Sequence, residues 1–322
     1  MKSHQSPVTN HQSLRLSVVW ATKNEAENIS RSIKSVKDIA DELIIFDEYS
    51  EDRTEDIAKR LGARVYKNKH VNNFHETKQL AIDKAKGNWI LQLDADEVAT
   101  PDLAEEIKGL IQLSNEKLLK RVLKYPVQTS IPPVTSHQSP VTKKTLLLFA
   151  RHQQLIERRD GRIGKPTGKI VAFFIPRVNM FMGKPLIHGG VYPDGVIRLI
   201  KRGYARLPAK SVHEQMEIDG EVGWLVNPLE HYDSPTFARY ISRNNRYTDL
   251  MAKEFKSKFK SKINILDTMN LLTFKPFTEF LNLYFRHKGV LDGYRGFIWS
   301  FFSAMRFPIS YIKYLNLDKK GI

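Results

Sequence analysis

Asp94 and Asp96 stand one residue apart at the end of the apolar run Trp89-Ile90-Leu91-Gln92-Leu93. On an extended backbone, positions i and i+2 point to the same side, so both carboxylates can address one object beyond the strand end. Two hard oxygen donors suit a divalent cation, Mg²⁺ or Mn²⁺, which usually completes its coordination with phosphate oxygens and water. Asp-X-Asp is also an ordinary solvated strand end, so the pair acquires meaning only from what stands beside it. Two further polar clusters follow apolar runs: Thr22-Lys23-Asn24-Glu25, and Asp47-Glu48-Tyr49-Ser50-Glu51-Asp52-Arg53-Thr54.

The elements that must position these groups alternate between strand and helix. Leu16 to Trp20 reads as a strand. Asn24 then stands as an N-cap with Glu27 three residues on, opening a helix with Ile29, Ile33, Val36 and Ile39 on one face. Strand Leu43 to Phe46, a helix around Ile57 and Leu61, strand Ala63 to Tyr66, a helix through Lys78 closed by Gly87, and the Trp89 strand follow. Thr100 caps another helix with Pro101 at its first position. This alternation predicts an α/β fold with a parallel sheet covered on both sides. Such sheets bind ligands at the carboxyl ends of their strands, where all three polar clusters fall. There is no G-x-G-x-x-G and no Walker lysine, which argues against a dehydrogenase or a P-loop NTPase.

The chain has 322 residues and is 41% hydrophobic, enough for a full core. It has no cysteine, which removes disulfides, thiolate metal sites and thiol nucleophiles. No stretch reaches the roughly 18 apolar residues of a membrane span, and the polar start lacks a signal-peptide core, so the expectation is cytoplasmic. The net charge is +16. Residues 1–113 hold 16 Lys or Arg against 19 Asp or Glu, a net of −3, so residues 114–322 carry +19. That half suits phosphate-rich substrates, an anionic membrane leaflet or nucleic acid. No stacking platform or groove-reading motif is recognisable, so nucleic acid is not expected as a partner. The segment Ser3-His4-Gln5-Ser6-Pro7-Val8-Thr9 recurs at Ser136 to Thr142, and both copies read as disordered low-complexity sequence.

Taken in order, Thr22-Lys23-Asn24-Glu25, Asp47 with Ser50, Asp52 and Thr54, and Leu93-Asp94-Ala95-Asp96-Glu97 resemble the nucleotide-sugar binding half of family 2 glycosyltransferases, and bacterial lipopolysaccharide core enzymes among them. Downstream, Ile175-Pro176-Arg177-Val178-Asn179, His188-Gly189-Gly190-Val191-Tyr192-Pro193-Asp194, Arg198-Leu199, Val212-His213-Glu214 and Asn227-Pro228-Leu229-Glu230-His231-Tyr232 extend the resemblance. It implies a GT-A type, Rossmann-like three-layer sandwich with a mostly parallel central sheet plus C-terminal helices. It also implies an inverting enzyme that moves a sugar from a nucleotide-diphosphate donor to a cell-envelope glycan or glycolipid. By the same resemblance Asp96 binds the cation, with Asp94 and His231 beside it. Thr22, Asn24, Glu25, Asp47, Ser50, Lys78, Asp94, Gly189 and Gly190 line the donor site. Glu214 is the general base, with Asp194 the runner-up. A binding-only descendant of the family is the alternative reading, a basic nucleic-acid binding protein a weaker one.

The sequence departs from the family pattern at Glu48 and Tyr49, where small residues are usual, at Gln79, and in the segment between Leu113 and Phe173. The expected organisation is a tail at 1–13, a nucleotide-sugar binding half at 14–113, a low-complexity basic insertion at 114–170, an acceptor and catalytic half at 171–235, and a helical region at 236–322. In the last, a basic helix with Lys256, Lys258, Lys260 and Lys262 near its end precedes the aromatic stretch Gly296 to Met305. That stretch suits the inner face of a cytoplasmic membrane, with Trp299, Tyr311 and Tyr314 at headgroup depth and Arg295, Arg306 and Lys313 facing phosphates.

Overall fold

The computed structural model describes residues 15–69, 73–121, 143–208, 215–258 and 264–319. The 1–13 tail, the second heptapeptide copy at 136–142, Glu214, Lys260 and Lys262 lie outside them. The chain folds as two units, one formed by 1–176 with 195–229, the other by 177–194 with 230–322.

The first unit is the α/β body expected from the alternation. Its strands begin with β1 (Leu16–Thr22), β2 (Glu42–Asp47), β3 (Arg64–Lys67), β4 (Trp89–Leu93) and β5 (Glu97–Ala99). They continue with β6 (Ile170–Phe181), β7 (Lys184–Leu186), β8 (Asp194–Lys201), β9 (Ala205–Arg206), β10 (Glu217–Ile218), β11 (Glu221–Trp224) and β12 (Leu229–Ser234), of which β7 and most of β12 belong to the second unit. The sheet runs β3-β2-β1-β4-β8-β6 with β11 on β6. β1 pairs in parallel with both β2 and β4, and β8 runs antiparallel to β4. All seven residues of β1 are buried, as a central parallel strand requires. Helices α1 (Ile29–Val36), α2 (Thr54–Arg60) and α4 (Pro101–Leu110) pack with Leu16, Val18, Trp20, Leu91 and Leu93 on one face. Helix α3 (Phe74–Lys84) lies against β1 and β2 on the other, which completes three layers.

Three local readings of the sequence change in the structure. Asn24 is not the helix cap: its φ is +56°, its side chain accepts from the Glu51 N–H, and α1 begins at Ile29 with Asn28 as the flanking residue. The Asp94–Glu97 segment is a tight turn closed by Glu97 N to Asp94 O at 3.0 Å rather than extended strand, although Ala95 is buried and both aspartates are half-exposed. The 114–170 segment is not a structureless insertion where it is described. It forms α5 (Asn115–Arg121) and α6 (Lys143–Asp160), and Leu146, Phe149, Gln153 and Ile156 recur on one buried face of α6. Phe149 stacks on Trp224 at 4.6 Å, and Gln153 accepts from the Trp224 indole. The Thr100–Pro101 start of α4 is as the sequence predicts, with the Thr100 hydroxyl accepting from Leu103 N–H at 3.2 Å.

The second unit joins the end of β6, β7 and β12 to helices α7 (Phe237–Lys258), α8 (Ile265–Met269), α9 (Lys275–Leu281) and α10 (Gly293–Lys319). The aromatic stretch of α10 is divided: Phe297 and Phe301 are exposed, whereas the residues expected at headgroup depth turn inward. Trp299 packs against Phe181 and Tyr240, and Tyr311 and Tyr314 are 7% and 4% exposed. Arg295 donates to the Met182 carbonyl, Arg306 to Asn244, and Lys313 to Asn245. Exposed apolar side chains run through the helical region, from Ile265, Leu266, Phe274 and Phe277 to Phe297, Phe301 and Ile312. Among the described residues no helix is long and apolar enough to cross a membrane.

Candidate functional site

The parallel register sets Thr22 beside Asp47 and Trp20 beside Leu93, so the polar ends of β1, β2 and β4 stand abreast on one edge of the first unit. The loops after β1 and β2 are stitched together there. Asn24 N–H donates to the Ser50 hydroxyl at 2.8 Å, Glu25 N–H to the Thr54 hydroxyl at 2.7 Å, and Ala26 N–H to Asp52 at 3.0 Å. Asn24 returns a bond by accepting from Glu51 N–H at 2.8 Å. Burial opposes the charge on Asp52, yet the hydrogen bonds from Thr54 and Ala26 hold its pKa below the usual carboxylate value. Asp47 is fully buried and accepts from the Thr22 hydroxyl, the Ser50 amide and hydroxyl, and the Lys67 ammonium. Tyr49 sits at φ +54° and is 57% exposed, while Glu48 is buried and accepts from the Thr77 hydroxyl.

Asp94 is clamped by cations. Lys78, from α3, meets one carboxylate oxygen at 2.5 Å, and Arg198, from β8, meets the other at 2.5 Å. Arg198 also reaches Glu97 at 2.7 Å and donates to the Gln92 side-chain oxygen, and Glu97 accepts from the Asp94 amide. Gln92, Arg198 and Glu97 are all under 9% exposed. Both Asp94 oxygens meet fixed cations, and Asp96 beside it is half-exposed. Hard cations held by one or two carboxylates with substrate phosphates and water are the ordinary arrangement for Mg²⁺, so the residues fit that group. Among the described residues no cluster of three or more metal-ligating side chains exists.

The remaining candidates belong to the second unit, and Glu214 lies outside the described residues. Arg177 grips one oxygen of Asp194 through two nitrogens, at 2.9 and 2.6 Å, and Asn179 donates to the same oxygen at 3.2 Å. Burial works against the Asp194 charge, but the Arg177 guanidinium, these hydrogen bonds and nearby His231 hold its pKa below the usual value. His231 shares a 2.6 Å hydrogen bond between Nδ1 and Asn179 Oδ1. Gly189 and Gly190 turn at φ +66° and +73°, conformations that glycine adopts without strain, and Gly189 N–H donates to the His287 carbonyl. A Cβ on Gly189 would stand 3.2 Å from Trp299. Arg177, Asn179, Asp194 and His231 border a cavity of about 250 Å³.

Two participants carried no label in the sequence beyond their places in motifs. Arg198 is a charged residue inside the apolar strand Val196 to Ile200, and a buried guanidinium demands counter-charges, which Asp94 and Glu97 supply. Lys67 gave no comparable signal, since it ends an exposed-edge strand and finds Asp47 and Glu55 only in three dimensions.

Comparison with known proteins places the sequence in a family. The sequence model of the family described as glycosyl transferase family 2 matches residues 17–182, just over half of the chain. An uncharacterized glycosyltransferase of Rickettsia bellii is 26% identical over 307 residues, covering 95% of this chain and 85% of the relative. Another, from Rickettsia felis, is 24% identical over 305 residues, covering 95% and 89%. Among solved structures, glucosyl-3-phosphoglycerate synthase from Mycobacterium tuberculosis, in complex with Mn²⁺, UDP and glucosyl-3-phosphoglycerate, is 27% identical over 26% of this chain and 34% of that one, with a TM-score of 0.25. With a matched span that takes in β1 to β6 and every polar strand end described above, the chain belongs to glycosyl transferase family 2.

Proposed function

We propose that this transferase moves a sugar from a nucleotide-diphosphate donor to a cell-envelope glycan or glycolipid, with inversion at the anomeric carbon. The observation that carries the reading is the edge formed by β1, β2 and β4, where Asp94 is pinned between Lys78 and Arg198 and Asp96 stands beside it half-exposed. Asp96 would hold a divalent cation, and Thr22, Asn24, Glu25, Asp47, Ser50 and Lys78 would shape the donor pocket, Asp47 by fixing the loops rather than by direct contact. When bound, the cation offsets the negative charge of the departing diphosphate. In the transfer, the acceptor hydroxyl oxygen bonds to the anomeric carbon, the bond from that carbon to the diphosphate oxygen breaks, and the hydroxyl proton passes to a carboxylate. We assign that carboxylate to Glu214. Asp194 is the runner-up, and its depressed pKa makes it a weak base. Gly189 and Gly190 would admit the donor sugar close to the backbone, and His231 would join the cation or diphosphate.

We also place the acceptor at an anionic membrane surface on the cytoplasmic side. Support comes from the exposed Ile265, Leu266, Phe274 and Phe277, which follow the lysine-rich end of α7 in the chain.

The test is thermal unfolding with UDP, GDP, ADP or CMP, with and without Mn²⁺, for the wild type and Asp96→Ala. Ligand at about a hundred times its dissociation constant stabilises by roughly 2.7 kcal/mol. One nucleotide should stabilise the wild type only with Mn²⁺, and not Asp96→Ala. Stabilisation by none sinks the donor site. Binding without transfer to any acceptor across a wide panel favours the binding-only reading instead.

A further inference from the structure

The cavity of the second unit has a lining that the transfer chemistry leaves largely unused. Beyond Asp194 and His231 it is bordered by Arg243, Tyr247, Trp299 and Arg306, with buried Tyr240 behind them. Its charges do not cancel. Arg177 is offset by Asp194 and Arg243 by Asp233, but among the described residues no carboxylate pairs with Arg306. Arg306 is nevertheless held in place. Its Nε donates to Asn244 at 2.9 Å, and its guanidinium lies 5.6 Å from the Trp299 ring centre and 5.9 Å from that of Tyr247. Arg243 lies 6.0 Å from the same Tyr247 ring. Cation–π contacts of this kind hold the guanidinium without neutralising it, and its planar fork of N–H donors is suited to phosphate.

A second, independent observation points into the same space. The Tyr240 hydroxyl is buried, borders the cavity and lies beside Arg306 and the Ser303 hydroxyl, yet neither contact has full hydrogen-bond geometry. A buried hydroxyl held so loosely is able to turn to a ligand that enters the cavity. A guanidinium that no carboxylate offsets, with a hydroxyl beside it, offers donors to the oxygens of a phosphoryl group. The volume, about 250 Å³, is several times the roughly 30 Å³ share of a water molecule and slightly below the range of drug-sized pockets, about 300–1,000 Å³. It suits a monosaccharide rather than a lone ion. Asn179 and Asp233 add polar groups able to meet sugar hydroxyls.

We propose that this cavity binds a phosphorylated saccharide, with Arg306, supported by Arg243 and the Tyr240 hydroxyl, taking the phosphoryl group. Its place as an acceptor subsite rests on the sugar-transfer reading above; its binding does not. The phosphoryl group is that of either a soluble phosphosugar or a lipid-linked one, since the recognised chemistry is shared.

Isothermal titration separates these possibilities, using a hexose 6-phosphate, the parent hexose and inorganic phosphate as probes. The proteins are the wild type, Arg306→Gln, Arg306→Lys, Asp96→Ala and Tyr247→Ala, each checked for an unchanged unfolding profile without ligand. Hexose 6-phosphate should bind the wild type and Asp96→Ala alike, bind Arg306→Gln at least about ten-fold more weakly, consistent with loss of a charge-assisted hydrogen bond, and bind Arg306→Lys in between. Should Arg306→Gln not fold, Tyr247→Ala, altered at a 41% exposed ring, must show the same loss. Equal affinity in wild type and Arg306→Gln overturns the proposal, as does inorganic phosphate binding as tightly as the phosphosugar, which would mark an adventitious ion only. Displacement of the phosphosugar by phosphatidylglycerol vesicles but not phosphatidylcholine vesicles supports the proposal with a lipid-linked ligand; no displacement supports it with a soluble one. If nucleotides fail to bind while the phosphosugar does, the transfer reading falls and this site stands; the reverse result overturns this site alone.

Discussion

Replacing Arg198 by methionine removes one guanidinium from three partners at once: Gln92, Asp94 and Glu97. Arg198 is 8% exposed and Glu97 is fully buried, so the pair counts as buried rather than as a surface ion pair. Removing one member of such a pair typically costs about 3–5 kcal/mol, because the other charge is left in a poorly solvated place. Lys78 continues to neutralise Asp94, at 2.5 Å, and Asp94 N–H continues to donate to Glu97, which places the expected loss near the lower end, about 3 kcal/mol. At about 2–4 °C per kcal/mol for a domain of this size, the midpoint should fall by about 6–12 °C. Urea unfolding of Arg198→Met, followed by tryptophan fluorescence, measures it directly. The double variant Arg198→Met/Glu97→Gln should recover a large part of the loss, giving a coupling energy within the 0.5–3 kcal/mol, or about that, seen for directly interacting residues. A loss under about 1 kcal/mol, the range of exposed ion pairs, would refute the view that this cluster holds the Asp94–Asp96 turn in place.

Three further outcomes test the scaffold. A Cβ on Gly87 would sit 2.5 Å from the Ser17 amide nitrogen and 2.8 Å from its hydroxyl, so Gly87→Ala should destabilise by about 1–3 kcal/mol in chemical denaturation. Gly109→Ala, in α4 with open space around its Cβ, should instead stabilise by about 0.5–1 kcal/mol. Glu106 accepts from the Val226 and Asn227 amides, and burial raises its pKa above the ordinary glutamate value despite those bonds. A folded-state pKa above the unfolded one means that its contribution to stability is fullest below the unfolded pKa and is lost as pH rises through the folded pKa. Wild type should therefore gain on Glu106→Gln as pH falls from neutral towards 4, read as the difference between their urea midpoints.

The sequence was most legible where one local signal decided the structure. The apolar runs ending in Thr22, Asp47 and Asp94 became parallel neighbours because nothing but a sheet buries strands on both faces. Thr100 followed by Pro101 started a helix because both act on the first turn alone. Asn24 misled because a capping spacing competes with a left-handed turn, and the choice was settled by Glu51 and Ser50, more than twenty residues away. Helix α6 was hidden by its low mean hydropathy: Leu146, Phe149, Gln153 and Ile156 are buried on one face, and Phe149 and Gln153 meet Trp224, which stands far downstream in the chain. The aromatics of α10 misled in the opposite sense. Composition cannot tell a ring bound for a surface from one bound for a neighbouring helix, and Tyr311 and Tyr314 went inward while Phe297 and Phe301 stayed out. In the site, carboxylates announced themselves, whereas Lys67 and Arg198 act only through partners that the fold brings to them.

Ser50, Asp52, Thr54 and Asn24 stitch the loops after β1 and β2 together. Loops at the edge of a sheet are ordinarily the parts free to adapt to a guest. Here three consecutive main-chain amides are already spent on the opposite loop, so neither loop can shift without tearing bonds from the other. The edge is thus a cast template, and whatever it accepts loses little freedom to the protein on arrival. Discrimination at such an edge works by refusal: a guest of the wrong shape is turned away, since the walls cannot move to meet it.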